Sequence, residues 1–135
     1  MPLFIWGEAF NVNIREINDQ HRRLIDLLND LQKALQESAP KERWMKVLDE
    51  FAETSVRNFE TEERLMLLHE APDYIPHKIR HDRFVSQFKE YREQLESERL
   101  QLSLPFLEDL ADWWRNHIID FDAKAAAWLN QKGVV

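Results

Sequence analysis

The sequence contains no cysteine, and this absence limits the metal chemistry that it can support. Without thiols the chain can form neither disulfides nor iron–sulfur clusters, and it cannot bind zinc through cysteine. Any metal ion must therefore be held by imidazole and carboxylate groups, a ligand set that suits iron, zinc or manganese.

Glycine occurs only twice and proline five times in 135 residues, so few positions favour tight hairpin turns. Leucine, alanine, glutamate, lysine, arginine and glutamine are abundant, and these residues favour helix. The length is near the commonest size of one folded unit. We therefore predict a single helical domain over residues 1–135.

The sequence also lacks long runs of basic or apolar residues, which argues against nucleic acid and membranes as partners. The formal charge is −7, from 25 acidic and 18 basic residues, and the basic residues are scattered. The sequence thus predicts neither nucleic-acid binding nor attachment to an anionic membrane. The N-terminal stretch MPLFIWGEAF lacks the basic region and long apolar segment of a signal peptide, and no apolar run approaches the roughly 20 residues that span a bilayer. We expect a soluble, cytoplasmic protein.

Apolar residues recur at three- and four-residue spacing in four segments, which is the pattern of amphipathic helices. The predicted helices cover about residues 19–37, 41–69, 76–97 and 103–131, after an extended N-terminal arm over residues 1–17. Asn18 or Asp19 is expected to cap the first helix and Ser103 the fourth. Short connections between the helices indicate an all-α fold, an up-down-up-down four-helix bundle.

Polar residues interrupt the apolar face of every predicted helix. The candidate metal ligands are His21, Glu62, His77, His81, His117 and Asp122. Burial of six such groups in one core is costly unless they are paired or bind metal, so their convergence favours a metal site. Because carboxylates can bridge, two carboxylates in this set point to two ions.

Taken one at a time, these residues allow other interpretations. His77 and His81 lie four residues apart, which also fits a solvated helix face, and His21 also fits a hydrogen-bonded core histidine. His117 and Asp122 are five residues apart. That spacing is about 140° around an α-helix, so one side chain would have to reach along the helix.

Two further titratable residues are interpreted as lying outside the site. Glu63 is expected to be a solvated neighbour of Glu62. His69 is expected on the surface at the end of the second helix, because it would lie ~10 Å along the helix axis from Glu62 at 1.5 Å per residue.

Several short motifs, in their order along the chain, resemble the hemerythrin family and in particular its bacteriohemerythrin branch. They are INDQH, NFETEE, HKIRH and HIIDFD, together with the tryptophan-rich run before HI and the closing WLNQKG. The resemblance covers almost the whole chain. It implies a four-helix bundle that holds two iron ions in a non-haem diiron centre, joined by an oxo or hydroxo bridge, and that binds dioxygen reversibly.

The same resemblance divides the candidate ligands between two iron ions. The implied assignment is His77, His81 and His117 on one iron, His21 on the other, and Glu62 and Asp122 as bridges. Phe59, Trp113 and Leu28 are expected to line an apolar pocket beside the site, although plain core packing explains these three residues equally well.

The sequence departs from the family pattern at Asn58, because NFETEE stands where the family usually reads HFxxEE with a ligand histidine. Either the amide oxygen of Asn58 serves as a weaker ligand for iron than imidazole, or water fills the position, or the second iron binds poorly. Thr54 and Ala125 stand where relatives often carry tyrosine. These smaller residues either open space near the second iron or are compensated by packing elsewhere.

The expected function is therefore reversible dioxygen binding for carriage, storage or sensing, by a monomer or weak homo-oligomer rather than an enzyme. The alternative is a diiron redox enzyme, namely a peroxidase, an oxidase or a nitric-oxide-reacting centre, that uses the extra open coordination position. A metal-poor relative that serves only as an interaction module is disfavoured, because unpaired buried histidines and carboxylates would destabilise its core.

Overall fold

The computed structural model describes residues 1–135, and every regular element in it is helical. The helices are α1 (Arg15–Gln36), α2 (Lys41–Leu68), α3 (Tyr74–Glu96), α4 (Leu104–Asn116) and α5 (Ala123–Gln131). A π-helical segment, His117–Asp122, joins α4 to α5 without a break, so these three elements form one continuous fourth helix. None of the helices is long and apolar enough to span a lipid bilayer. The predicted all-α four-helix bundle is confirmed.

The bundle packs around one apolar core, and the N-terminal arm is fastened to it. α1 lies against α2 and α4, and α2 lies against α3. Phe4 of the arm is buried among the core residues. Its backbone N–H donates to Asn29 Oδ1 at 3.0 Å, and its carbonyl accepts from Asn29 Nδ2 at 2.8 Å. The arm therefore covers one side of α1 and shields the core there.

The helix boundaries differ from the expected ones mainly at the N-terminal ends. α1 begins at Arg15 rather than near residue 19, so the arm ends at residue 14, and it includes a short 3₁₀ turn at Glu8–Phe10. α3 begins at Tyr74 rather than near residue 76. The expected cap of the fourth helix is confirmed, since Ser103 Oγ accepts from the N–H of Phe106 at 3.3 Å.

The expected capping of α1 by Asn18 or Asp19 is wrong. Ile14 occupies the N-cap position, and no side chain caps the helix there. Asn18 lies inside the first turn and points back to the arm, where its Oδ1 accepts from the N–H of Val12 at 3.0 Å. The polar residue that looked like a helix start therefore ties the arm to the helix instead.

Because glycine is scarce, most of the helices end at a non-glycine residue that adopts the left-handed backbone conformation. The residues with positive φ after the helices are Ser38 (51°), Glu70 (57°), Glu98 (66°) and Gly133 (87°). After α2, the N–H of Ala71 donates to the carbonyl of Met66 at 2.8 Å and that of Glu70 to Leu67 at 3.2 Å. This is a Schellman motif, whose positive-φ position favours glycine. A non-glycine residue in this conformation lowers the stability of the folded state by roughly 1–2 kcal/mol.

We therefore expect Glu70→Gly to raise the free energy of unfolding by about 1 kcal/mol, because it removes this backbone strain at an exposed side chain. The matched control is Glu60→Gly, also exposed but inside α2, which should lower the free energy by about 1 kcal/mol. Urea denaturation of both variants measures the two values. A loss of stability in both variants would show that the backbone at Glu70 is not strained.

Candidate metal centre

All four helices of the bundle contribute buried ionisable side chains to one cluster, and each of these residues is at most 3 % exposed. The residues are His21 on α1, Glu62 on α2, His77 and His81 on α3, and His117 and Asp122 at the two ends of the π-helical segment. The structure thus places all six predicted ligands together. Their role as metal ligands stays a prediction.

The π-helical segment explains how His117 and Asp122 reach the same site. Residues five apart on an α-helix point about 140° apart. In a π-helix the hydrogen bonds run from i to i+5, and residues five apart come onto a similar face. His117 Nε2 and Asp122 Oδ1 lie 3.0 Å apart. The expectation that one side chain must reach along an α-helix is therefore wrong, because the backbone itself changes here.

Three histidine rings form one side of the cluster, called here the three-histidine half. The Nε2 atoms of His81 and His117 are 3.0 Å apart. Glu62 Oε1 lies 3.0 Å from His77 Nε2 and 3.2 Å from His81 Nε2. Asp122 Oδ1 lies 3.1 Å from His77 Nε2 and 3.0 Å from His117 Nε2. One donor atom from each of these five residues lies within 4.8 Å of all the others.

His21 forms the other side, called the His21 half, and it faces the second oxygen of each carboxylate. His21 Nε2 lies 2.9 Å from Asp122 Oδ2 and 3.4 Å from Glu62 Oε2. Each carboxylate therefore directs one oxygen towards the three histidines and the other towards His21. Carboxylates that bridge two cations present their oxygens in this way.

Buried polar atoms without hydrogen-bond partners concentrate at this cluster. Seven buried side-chain nitrogen or oxygen atoms of the protein lack a partner. All but Trp114 Nε1 belong to the cluster or to Asn58, and they are His21 Nδ1 and Nε2, Asn58 Oδ1, Glu62 Oε2, and Asp122 Oδ1 and Oδ2. Such atoms are costly to bury unpaired. The donors among them that face the cluster, His21 Nε2 and the carboxylate oxygens, fit a pair of iron ions, which would satisfy them.

The contact between His21 and Asp122 also lacks a hydrogen bond, although the two side chains are close. His21 Nε2 and Asp122 Oδ2 are 2.9 Å apart, yet neither atom makes an aligned hydrogen bond. Two lone pairs that converge on a common cation approach each other without being aligned as donor and acceptor. The geometry of the His21 half therefore fits ligation better than it fits a histidine–aspartate hydrogen bond.

Opposite charges shift the proton affinities of the metal-free cluster. Burial lowers the pKa of His21 and of His77, but their contacts with Asp122 and Glu62 outweigh burial and raise the pKa values to about 9 and about 10. Burial and repulsion by Asp122 raise the pKa of Glu62, yet the surrounding histidines bring it below its usual range. Despite burial, the histidines also hold the pKa of Asp122 well below its usual range. At His117 burial dominates and lowers the pKa.

Glu63 supports the cluster from its rim, so the expectation that it is solvated is wrong. Its side chain is 17 % exposed, and its Oε2 lies 2.7 Å from His81 Nδ1. A carboxylate there accepts the Nδ1–H of His81 and leaves a lone pair on Nε2, the atom that faces the cluster. Ligand histidines commonly have such a carboxylate partner, so an acid next to a ligand position was the available signal.

His117 has a different partner, the guanidinium group of Arg80. Arg80 Nε lies 3.0 Å from His117 Nδ1. The guanidinium carbon lies 4.9 Å from the ring centroid of Trp113 and 4.2 Å from that of Phe121. Because a guanidinium only donates, Nδ1 of His117 accepts and the proton of the neutral ring sits on Nε2. Nothing in the sequence pattern singled out Arg80.

Aromatic rings enclose the three-histidine half. Phe59 stacks on His81 with ring centroids 4.0 Å apart, and Trp113 stacks on His117 at 4.6 Å. These two residues of the predicted apolar pocket therefore pack directly on candidate ligands. Such stacking fixes the orientation of both imidazole rings and keeps water away from them.

Trp114, which the sequence pattern did not assign to the site, extends this aromatic wall towards the His21 half. Its ring stacks on Phe59 at 5.4 Å and meets the His21 ring edge-on at 6.2 Å. Leu28 lies on α1 two turns after His21 and is completely buried in the core. The pocket-lining role of Leu28 stays a prediction, and core packing describes its position fully.

Asn58 lies on α2 one turn before Glu62 and is fully buried. Its Nδ2 donates to Gln20 Oε1 at 2.9 Å, and Gln20 Nε2 donates to Thr61 Oγ1 at 2.9 Å. This short hydrogen-bonded chain orients the amide of Asn58. Its Oδ1 is left without a partner inside the protein.

We expect Glu63→Gln to weaken metal binding by the cluster roughly 10-fold. In the unmodified protein the negative charge of Glu63 orients the His81 ring and makes its Nε2 a stronger donor, and the substitution removes this charge. The matched control is Glu60→Gln, an exposed glutamate on the same helix, which should leave the affinity unchanged. Competition with a chelator measures both affinities. Equal affinities in the two variants would remove Glu63 from the site.

The stability of the metal-free protein should fall as the pH rises from 6.5 to 10. The raised pKa values of His21 and His77, about 9 and about 10, add stability that is fully present below the ordinary value of 6.5. This stability is lost as the rings lose their protons in the folded state. Urea midpoints at the two pH values measure the change.

The control for this prediction is His77→Gln, which removes one of the two titrating rings. Its urea midpoint should depend less steeply on pH than that of the unmodified protein over the same interval. An equally steep dependence in the variant would assign the effect to groups outside the cluster.

Similarity to known proteins extends over nearly the whole chain. Residues 12–129 match the family model described as the hemerythrin HHE cation binding domain. The chain is 33 % identical to the bacteriohemerythrin of Stenotrophomonas maltophilia over 97 % of its own length and 87 % of that relative. It is 27 % identical to the bacteriohemerythrin of Methylococcus capsulatus, over 90 % and 93 % of the two chains. The crystal structure of wild-type hemerythrin is similar with a TM-score of 0.88 at 25 % identity, over 94 % and 98 % of the two chains. The chain belongs to the hemerythrin family.

Proposed function

We propose that this protein binds two iron ions in the buried cluster and binds dioxygen reversibly there, for oxygen carriage, storage or sensing. The observation that carries the proposal is the division of the two carboxylates, each with one oxygen towards the three histidines and one towards His21. The family model describes a cation binding domain, and the curated relatives are named bacteriohemerythrin. These names support the same function.

The donors available to the two ions are unequal. The three-histidine half offers three imidazole nitrogens and two carboxylate oxygens, supplied by five residues. The His21 half offers one imidazole nitrogen and the two remaining carboxylate oxygens. An ion in the second position would thus keep more open coordination sites. When bound, the iron pair supplies an open coordination position for dioxygen and the electrons that its binding requires.

The side chains around the cluster control what enters it. Phe59 and Trp113 pack on the imidazole rings and exclude water from the three-histidine half. Glu63 holds His81 with Nε2 turned inwards. A site that is dry and has fixed ligands disfavours entry of water and anions, which would otherwise displace a reversibly bound gas.

A second candidate function rests on Asn58, which stands where the family pattern has a ligand histidine. The residue is buried next to the His21 half and carries only an amide. Thr54 and Ala125, the two smaller residues, are buried as well. If an iron in the His21 half has one ligand fewer and smaller neighbours, peroxide, a substrate or nitric oxide can reach it more easily. This would favour a diiron redox enzyme that turns over peroxide, oxidises a substrate or reacts with nitric oxide.

The test is to load the protein with ferrous iron without air, measure iron per chain, and follow the visible spectrum through cycles of oxygen admission and removal. We expect two irons per chain and a spectral change that reverses when oxygen is removed. Two irons with an irreversible change would favour the redox enzyme. One iron or none would exclude the proposed function.

A pair of histidine variants ties the spectral change to the cluster. We expect His81→Ala to abolish the change, because it removes one of the three imidazoles from the candidate iron position. His69→Ala should retain it, because His69 lies beyond the C-terminal end of α2. Folding of both variants is checked by circular dichroism. An unchanged spectrum in His81→Ala would separate the gas binding from this cluster.

A further inference from the structure

The two halves of the cluster differ in donor chemistry as well as in donor number. The three-histidine half presents three nitrogens and two oxygens. The His21 half presents a single imidazole nitrogen with one oxygen each from Glu62 and Asp122. A histidine at position 58 would have made the second half rich in nitrogen too. Asn58 offers an oxygen instead.

Two observations on Asn58 mark its oxygen as an available donor. The side chain has no solvent exposure, and Oδ1 has no hydrogen-bond partner. Its Nδ2 donates to Gln20 Oε1 at 2.9 Å. Gln20 Nε2 donates in turn to Thr61 Oγ1 at 2.9 Å. The nitrogen end of the amide is therefore occupied and the oxygen end is free.

The position of Asn58 on α2 places this residue beside the His21 half. Asn58 precedes Glu62 by four residues on α2, and side chains at this spacing lie on the same helix face. Its hydrogen-bond partner Gln20 is adjacent to His21 on α1. The unpaired atoms His21 Nε2, Glu62 Oε2 and Asp122 Oδ2 belong to the same half. With Asn58 Oδ1 as a fourth donor, this half would offer one nitrogen and three oxygens.

This set has a different preference among metal ions from that of the three-histidine half. Carboxylate and carbonyl oxygens suit magnesium, calcium and manganese, whereas imidazole suits iron, zinc and copper. Of the hard ions, manganese(II) is the one that also accepts an imidazole nitrogen readily. The preference for iron over manganese should therefore be weaker in the His21 half.

We propose that the His21 half also accepts manganese(II), so that the protein forms a mixed iron–manganese centre when manganese is in excess over iron. The three-histidine half selects iron in that centre. The inference rests on the proposed function for the iron in the three-histidine half, and it extends the cation chemistry of the other half. The substitution of histidine by Asn58 is what opens this second position to manganese.

The test offers the metal-free protein ferrous iron together with increasing excesses of manganese(II) without air, removes unbound metal by dialysis, and counts both metals per chain. Because any such site still prefers iron to manganese at equal amounts, we expect one iron per chain and up to one manganese as the manganese excess increases. Before dialysis, the EPR signal of free manganese(II) should decrease when the protein is added. Two irons and no manganese at the largest manganese excess would overturn the inference.

Two substitutions at one position sharpen the test. Asn58→His should lower the ratio of bound manganese to iron roughly 10-fold, because it exchanges an oxygen donor for a nitrogen donor. Asn58→Asp, which keeps the size of the side chain and an oxygen donor, should leave this ratio near that of the unmodified protein. The same ratio in Asn58→His as in the unmodified protein would also overturn the inference.

A sample that receives iron alone keeps this result separate from the proposed function. Retention of iron with reversible oxygen binding, together with exclusion of manganese from the mixed sample, would overturn only the manganese position. Failure to retain any iron would overturn the proposed function itself, and the manganese inference that rests on it.

Discussion

Two negatively charged carboxylates lie in the centre of the bundle among four imidazole rings, and every helix supplies at least one of these six groups. A buried charge is tolerated only when it is paired or bound to a cation. The helices must therefore keep a register in which His21 on α1 meets Glu62 on α2 and Asp122 on the fourth helix. The same six groups that fit a metal pair thus also define how the helices pack.

The fourth helix shows how far the backbone adapts to this constraint. A regular α-helix would turn His117 and Asp122 to different faces. The π-helical segment between them makes both available at 3.0 Å, while α4 and α5 continue the helix on either side. Insertions of this kind are frequent at functional sites. The irregular segment therefore lies where the chemistry needs it.

Much of the architecture was predictable because helical periodicity and short connections are local signals. The spacing of His77 and His81 showed that two imidazoles share one face of α3. Nothing local revealed the π-helical segment, since HIIDFD reads as an ordinary amphipathic stretch. The first turn of α1 was misplaced because Asn18 looks like a cap when the arm that it binds is unknown.

The residues of the candidate site were predictable from the sequence, but the side chains that support them were not. The six cluster residues stood out because they interrupt apolar helix faces. Their partners Glu63 and Arg80 did not, since which way a side chain at the rim of a helix face points depends on a neighbouring helix. The free oxygen of Asn58 was also hidden, because its orientation depends on Gln20 from another helix.

The hydrogen bonds around the histidines finally set an order of protons in the metal-free protein. Arg80 donates to His117 Nδ1, so the Nε2–H of His117 points at His81 Nε2, 3.0 Å away. The Nδ1–H of His81 then points at Glu63. His81 is thus already in the tautomer that can bind a metal, whereas His117 carries its proton on the nitrogen that faces the cluster. A metal ion held by His117 Nε2 would place the ring proton on Nδ1, where Arg80 could no longer donate, so the guanidinium group would have to turn away from this ring.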